Sequence, residues 1–399
     1  NMALFLGRKC HIMKKSANRT MNILCATDRN FLYPAYVTIQ SVIENHKDID
    51  ISFFLLAAED ILEDERFRLK EFVEASGNTI QYLSVDDSGY ENFIVSERFN
   101  KVAYFRLMAH EYLPKSIDRI LYLDVDIIVD KNIYDDFYMQ DFNGKYLIAT
   151  SHNPNPDYSN MLNYSIVNLE AAARGEYFNS GVLLMNLVQF RENITIEKYK
   201  EAYNACLDQG LEVFYDQGLL NYMFFDKTLY FSSMDYNFRY SIPIDYKNRL
   251  DPRRVYKKAI IHYTGMKQPY KPWDLMLEEE DIAKFGDVPF KDNYFYVSRE
   301  LNVLMKKWWG YAEQTPVYSQ VLNEMLLKRK WFRRNLLDFA IKHNKLLKEI
   351  SLKNNGNKQQ IIKEQKIEKL PDNFHYRAYN IMCRLCAPIF AIRRLLKRQ

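Results

Sequence analysis

An apolar run carrying two closely spaced carboxylates sets the strongest constraint on this chain. The segment Arg119-Ile120-Leu121-Tyr122-Leu123-Asp124-Val125-Asp126-Ile127-Ile128-Val129-Asp130 is rich in Ile, Leu, Tyr and Val and bounded by charge. Such a run reads as a buried strand over Ile120–Val129. Residues two apart on a strand point to one side, so Asp124 and Asp126 converge. Two buried carboxylates cost free energy unless something positive neutralises them. A divalent cation does so, and one held by carboxylates commonly also holds substrate phosphates. Ligands of this kind bind at the C-terminal ends of strands in open α/β sheets.

Similar runs flank it. Met21–Thr27, Ile51–Ala57 and Thr79–Leu83 read as strands, with helices over Pro34–Glu44 and about Leu62–Glu74 between them. A short helix is expected over Ala103–Glu111. Tyr146–Thr150, Thr228–Phe231 and Ala259–Tyr263 read as further strands, Asn179–Leu187 as an apolar segment containing a glycine, and Ile196–Leu207 and Asp216–Phe224 as helices. The β-α-β-α-β order predicts an α/β fold with a mostly parallel sheet flanked by helices. No Pro/Gly/Ser-rich linker divides residues 21–275, which read as one domain. Residues 1–20 read as an N-terminal extension or expression remnant, 276–350 as a C-terminal helical extension, and 351–399 as a basic amphipathic tail entered through a polar hinge at Ser351–Gln360.

Charge separates the tail from the body. Residues 328–399 hold 19 Lys and Arg against 5 Asp and Glu, leaving 36 against 46 in residues 1–327. A basic tail on an acidic body points to an anionic partner. Ile381–Arg398 sets Ile, Leu, Phe and Met opposite clustered Arg and Lys, the pattern of a helix lying on an anionic membrane, although Pro388 interrupts it. A helix packed on the acidic body, or a dimer contact, has the same pattern. The five cysteines, Cys10, Cys25, Cys206, Cys383 and Cys386, do not form a secreted disulfide framework and suit a reducing cytoplasm. No run approaches the ~20 apolar residues of a membrane span.

Three further groups carry chemistry. His262 ends the apolar run Ile260-Ile261-His262, a place for a core histidine or for a metal ligand, and imidazole with carboxylates suits Mn²⁺ and similar ions. Gly265 allows close backbone approach to a phosphate, and Lys271-Pro272-Trp273 offers an ammonium beside a rigid aromatic turn. Thr27-Asp28-Arg29-Asn30-Phe31 closes the first strand with short polar groups able to read a base or ribose, and Phe31 can stack; an ordinary strand-end turn has the same composition.

Five segments together resemble the retaining glycosyltransferases of family 8, over roughly Met21–Trp273. They are Ala26-Thr27-Asp28-Arg29-Asn30, Tyr104-Phe105-Arg106-Leu107, Leu121-Tyr122-Leu123-Asp124-Val125-Asp126, Tyr177-Phe178-Asn179-Ser180-Gly181-Val182-Leu183-Leu184-Met185-Asn186-Leu187, and His262-Tyr263-Thr264-Gly265 with Lys271-Pro272-Trp273. The resemblance implies the GT-A fold, a Rossmann-like nucleotide-diphospho-sugar transferase. It implies hexose transfer from UDP-glucose or UDP-galactose to a glycan or lipid-linked glycan, with Mn²⁺, or Mg²⁺ in its place. By the same matching, Asp124, Asp126 and His262 are the metal ligands, with Val125 in the same donor-binding triplet. Ala26, Thr27, Asp28, Asn30 and Phe31 match the uridine-contacting segment, and Arg106, Asn179 and Ser180 the donor-sugar pocket. Asp216 and Gln217 match the pair beside the anomeric carbon, and Gly265 and Lys271 the phosphate-binding residues.

Two departures stand out. Many relatives carry Asp-Gln-Asp where this chain has Asp216-Gln217-Gly218, and the lysine follows its glycine at a longer interval, which brings Lys267 forward as an alternative. The resemblance points to bacterial surface polysaccharide or lipopolysaccharide synthesis by a cytoplasmic enzyme peripheral on the inner face of the membrane, without nucleic acid as a partner. A sugar nucleotidyltransferase would normally show a Gly-rich loop after the first strand, and Asp28–Tyr33 has no glycine. A non-catalytic glycan-binding protein on the same fold is the other alternative.

Overall fold

Alternating apolar strands and amphipathic helices build the first half of the chain, and the computed structural model shows the register. It describes residues 19–85, 102–151, 176–209, 215–231, 234–239, 258–264, 271–273, 289–290, 295–296 and 299–327. Strand β1 (Thr20–Thr27) leads into helix α1 (Leu32–Asn45), then β2 (Asp50–Ala57), α2 (Glu63–Glu74) and β3 (Thr79–Leu83). β1 pairs in parallel with β2, and β2 with β3. The helical crossovers between them are what parallel pairing requires. Residues of both side-chain parities are buried, Ile23, Cys25, Phe53 and Leu55 as well as Leu24, Ala26, Phe54 and Leu56, as befits a sheet covered on two faces.

The central sheet has seven strands in the order β3-β2-β1-β4-β7-β6-β8. β4 (Arg119–Leu123) continues the parallel half beside β1. β7 (Phe178–Asn186) runs antiparallel to both β4 and β6 (Leu147–Ser151), and β8 (Thr228–Phe231) pairs in parallel with β6. The sheet is therefore mostly parallel, with β7 reversed within it. Helices α5 (Leu187–Asn193), α6 (Ile196–Asp208) and α7 (Tyr215–Phe224) follow β7. Their Phe190, Tyr199, Leu219 and Phe224 join Tyr122, Phe178, Leu183 and Met185 in one core cluster.

The structure corrects two details of the sequence reading. The strand expected over Ile120–Val129 is two strands, β4 and β5 (Ile127–Val129), in different sheets, with Asp124-Val125-Asp126 as the link. The buried Thr38 hydroxyl on α1 lies 2.9 Å from the Val125 carbonyl and 2.7 Å from the Ile127 carbonyl, so it serves backbone groups the link takes off the central sheet. The two carboxylates converge across a turn, not along one strand face. The single helix expected over Ala103–Glu111 is α3 (Val102–Phe105), a 3₁₀ turn over Arg106–Met108 and α4 (Ala109–Tyr112).

β5 pairs with β10 (Ile260–His262), which neighbours β9 (Phe238–Arg239), in a small second sheet. Packing divides the chain into two compact units, one of Asn1–Phe238, Lys257–His262 and Tyr311–Val317, the other of Arg239–Tyr256, Tyr263–Gly310 and Tyr318–Gln399. Within the second, the Tyr263 hydroxyl donates to the Leu304 carbonyl, Trp309 Nε1 donates to the Pro272 carbonyl, and Trp273 packs on Trp308. No helix among the described residues is long and apolar enough to cross a membrane. Gly265, Lys267 and the 351–399 tail lie outside the described residues.

Candidate active site

Pairing register brings three ligand-type side chains together. The antiparallel β5–β10 pair sets His262 opposite Ile127, the residue after Asp126. The antiparallel β4–β7 pair sets Leu123 opposite Val182, and the Asp124 amide donates to the Gly181 carbonyl at 2.9 Å. His262 Nε2 then stands 3.0 Å from Asp126 Oδ1 and 3.6 Å from Asp124 Oδ2. One ligand atom from each residue falls within 4.8 Å of the others. Gly181 makes this approach possible: a Cβ there would lie 2.2 Å from His262 Cε1 and 2.6 Å from Asp124 Oδ2.

Arg106 underlies the cluster. Its guanidinium is 3.1 Å from Asp124 Oδ1 and 3.3 Å from Asp216 Oδ2, donates to the Ser180 carbonyl at 2.9 Å, and lies over the Tyr122 ring. Tyr122 in turn donates its hydroxyl to Asp124 Oδ1 at 2.8 Å. Burial works against the guanidinium charge, but Asp124 and Asp216 overcome it and push the Arg106 pKa up. Burial raises the Asp216 pKa; Arg106 opposes that rise and Asp124 adds to it. Asp216 Oδ2 is within charge-pairing distance of Arg106 yet makes no hydrogen bond, so it keeps accepting capacity in a buried position.

Among the described residues, Asp124, Asp126 and Asp216 gather negative charge around the Arg106 guanidinium. Two carboxylates and an imidazole in reach of one point form a donor set that fits Mn²⁺ or a similar divalent ion. Bringing such groups together is unfavourable without a cation, so the donor chemistry and the close approach at Gly181 fit a group able to hold a metal ion.

The remaining site residues fall into three groups. Asn179, Ser180 and Gln217 are joined: Asn179 Nδ2 donates to Gln217 Oε1 at 2.8 Å, and the Ser180 amide reaches the same oxygen at 3.3 Å. Gln217 Nε2 donates to the Tyr177 hydroxyl at 3.0 Å, so both ends of this amide are engaged. Tyr215, which opens α7 just before Asp216 and Gln217, has φ 46°, a left-handed conformation uncommon for a residue with a side chain. At the end of β1, Ala26 and Thr27 are buried, Asp28 Oδ1 caps the following turn through the Phe31 amide, and Asn30 and Phe31 are exposed. Lys271, in the second unit, is buried and donates from Nζ to the Tyr263 carbonyl.

Sequence reasoning missed Asn237. It is buried, its Oδ1 lies 3.0 Å from His262 Nδ1, and its Nδ2 donates to Asn179 Oδ1 at 3.1 Å. Nothing in Met234-Asp235-Tyr236-Asn237-Phe238 marks the asparagine as different from a loop residue.

The fold and the cluster define a GT-A glycosyltransferase, and solved structures share that architecture. An active-site mutant of LgtC is 27% identical with a TM-score of 0.51, covering 63% of this chain and 89% of its own. The galactosyltransferase LgtC in complex with donor and acceptor sugar analogs has a TM-score of 0.54 at 24% identity, covering 74% of this chain and 96% of its own. The sequence profile of glycosyl transferase family 8 matches residues 22–277, and the chain belongs to that family. The lipopolysaccharide 1,2-glucosyltransferase of Escherichia coli (strain K12) is 26% identical over 331 residues, covering 80% of this chain and 94% of its own. The lipopolysaccharide 1,3-galactosyltransferase of Salmonella typhimurium is 23% identical over 253 residues, covering 63% and 73%.

Proposed function

We propose that this glycosyltransferase moves a hexose from UDP-glucose or UDP-galactose to a glycan hydroxyl, with retention of anomeric configuration, in the synthesis of bacterial lipopolysaccharide or a related surface polysaccharide. The observation that carries the reading is the Asp124–Asp126–His262 cluster beside the buried Arg106–Asp216 pair. The relatives named for lipopolysaccharide glucosyl and galactosyl transfer support the substrate class.

Asp124, Asp126 and His262 would hold Mn²⁺, or Mg²⁺ in its place, and the ion would supply Lewis-acid stabilisation to the departing diphosphate. Ala26, Thr27, Asp28, Asn30 and Phe31 would receive the uridine, with exposed Phe31 as the stacking surface. Asn179, Ser180 and Arg106 would line the sugar pocket, Arg106 chiefly by fixing Asp124 and Asp216. Gly265 and Lys271 would meet the diphosphate, on the strength of the family match. Asp216 would accept a hydrogen bond from a sugar hydroxyl through its unsatisfied Oδ2.

Gln217 is held at both ends and is a weak nucleophile, and Gly218 offers no carboxylate. The step then runs by same-face attack: the acceptor oxygen bonds to the anomeric carbon, the bond to UDP breaks, and the acceptor proton passes to the departing phosphate oxygen. Asp216 and Gln217 orient the sugar for this. Trapping of a glycosyl adduct on any side chain would refute it.

Residues 21–275 would form the catalytic domain. The basic 351–399 tail would place the enzyme on the inner face of the cytoplasmic membrane, and a chain ending before Ser351 should then lose binding to anionic vesicles. UDP release from a panel of UDP-sugars tests the main reading. Mn²⁺-dependent release from UDP-glucose or UDP-galactose, abolished by EDTA, supports it. No release from any UDP-sugar, as for a non-catalytic binding protein, overturns it.

A further inference from the structure

A chain of side-chain amides runs from the candidate metal ligand into the core. His262 Nδ1 faces Asn237 Oδ1 at 3.0 Å, Asn237 Nδ2 faces Asn179 Oδ1 at 3.1 Å, Asn179 Nδ2 faces Gln217 Oε1 at 2.8 Å, and Gln217 Nε2 faces the Tyr177 hydroxyl at 3.0 Å. Amide oxygen and nitrogen are interchangeable in shape, so the direction of such a chain needs an external anchor. Two backbone amides supply it. The Gly181 N–H points at Asn179 Oδ1 at 3.1 Å, and the Ser180 N–H at Gln217 Oε1 at 3.3 Å. A backbone N–H can only donate, so both of those atoms are oxygens.

With Asn179 Oδ1 fixed, the Asn237 atom facing it must be a donor, its Nδ2. Its other end, Oδ1, then faces His262 and can only accept, so Nδ1 of the imidazole must carry a proton. The neutral ring has one N–H, and Nε2 is left with a lone pair, 3.0 Å from Asp126 Oδ1 and 3.6 Å from Asp124 Oδ2. In the absence of a cation that lone pair would face carboxylate oxygens. A divalent ion turns the same arrangement into a ligand set.

We propose that Asn237 is a positioning residue of this site, holding His262 in its Nδ1-protonated form so that Nε2 is presented to the ion bound by Asp124 and Asp126. This rests on the metal reading above. Partners of this kind on a ligating histidine fix its tautomer and orientation, and their loss typically costs about 10–100-fold in metal affinity. Asn237 lies on no metal ligand's own strand and, at 3% exposure, does not serve solubility.

Two measurements test it. The first is the Mn²⁺ dissociation constant, by water-proton relaxation, of the wild type, Asn237→Leu and Asn237→Asp. Leucine matches the amide in size but cannot accept from Nδ1, and should weaken Mn²⁺ binding by about 10–100-fold. Aspartate still accepts from Nδ1, although it sets an oxygen against Asn179 Oδ1 and so costs stability, and should bind Mn²⁺ more tightly than the leucine variant. A role in packing alone would instead leave metal affinity no better with aspartate than with leucine. The second is the ¹⁵N spectrum of the His262 ring in the metal-free protein at a pH where the ring is neutral. It should show Nδ1 protonated in the wild type and in Tyr177→Phe, which leaves both backbone anchors in place. Wild-type Mn²⁺ affinity in a folded Asn237→Leu, or a bare Nδ1 in the wild type, overturns the proposal. A wild type that binds no Mn²⁺ overturns the metal reading instead, and the ring spectrum remains the test of the chain.

Discussion

Gly181→Ala should damage the site while leaving the sheet intact. Replacing a strand glycine by alanine ordinarily helps, since it narrows the unfolded ensemble by about 0.4–1 kcal/mol where the backbone is compatible. Here the added Cβ would stand 2.2 Å from His262 Cε1, 2.6 Å from Asp124 Oδ2 and 2.9 Å from His262 Nδ1. Carbon atoms pack best at about 3.5–4.0 Å, so the ring or the strand must move by roughly 1.3 Å or more. The imidazole is only 2% exposed and has Asn237 behind it, which leaves little room for retreat. Overpacking of this kind costs about 1–3 kcal/mol. Displacing two of three ligands by an ångström should lower Mn²⁺ affinity by at least ~10-fold and kcat by roughly 10²-fold. Mn²⁺ titration and Mn²⁺-dependent UDP release, with circular dichroism as the check on folding, measure both. A folded Gly181→Ala with wild-type Mn²⁺ affinity and wild-type turnover would refute the inference that Gly181 exists to admit His262 and Asp124.

Two other substitutions probe the buried charges. Arg106→Met removes the guanidinium that Asp124 and Asp216 share and leaves Asp216 buried without its cation; it should cost about 3–5 kcal/mol in urea unfolding at neutral pH, and a loss under 1 kcal/mol would argue that the pair is not load-sharing. Asp216→Asn should abolish most transfer yet leave stability at neutral pH equal to or above that of the wild type, because Asp124 still pairs with Arg106. The sign follows from the pKa: it is raised on folding, so Asp216 favours the native state below its unfolded pKa of about 3.9 and loses that contribution as pH rises through the folded value. Thermal melts across this range should therefore show the variant gaining on the wild type as pH rises, and a variant that loses ground on the way up would contradict the assignment.

The parallel half of the sheet was legible because its rules are local. Ile51–Ala57 and Thr79–Leu83 are short apolar runs between amphipathic helices, and the structure places strands there within a residue of the expected bounds. The Asp124–Asp126 pair and His262 were legible as chemistry, since carboxylates and an imidazole beside apolar runs need a reason to be there. The break between β4 and β5 was not legible. It involves the Thr38 hydroxyl on α1, far away in sequence, and nothing in Leu123-Asp124-Val125-Asp126-Ile127 distinguishes a continuous strand from two joined by a turn. Asn237 was hidden for the same reason: its role is set by the register of β7 and β10, which places Asn179 and His262 on either side of it. Arg106 was read as a residue facing the sugar, whereas the structure adds its contacts to two aspartates and a carbonyl, which only tertiary packing supplies.

In the proposed function, Asp124, Asp126 and His262 hold one divalent ion that also holds the donor's diphosphate. Pulsed electron paramagnetic resonance of the Mn²⁺–UDP complex reads both contacts on one ion. ¹⁴N coupling from one imidazole and ³¹P coupling from UDP should appear on the same ion, with the nitrogen signal lost in His262→Ala and the phosphorus signal weakened as metal affinity falls. A spectrum with phosphorus coupling but no nitrogen coupling in the wild type, or one unchanged by His262→Ala, would contradict it.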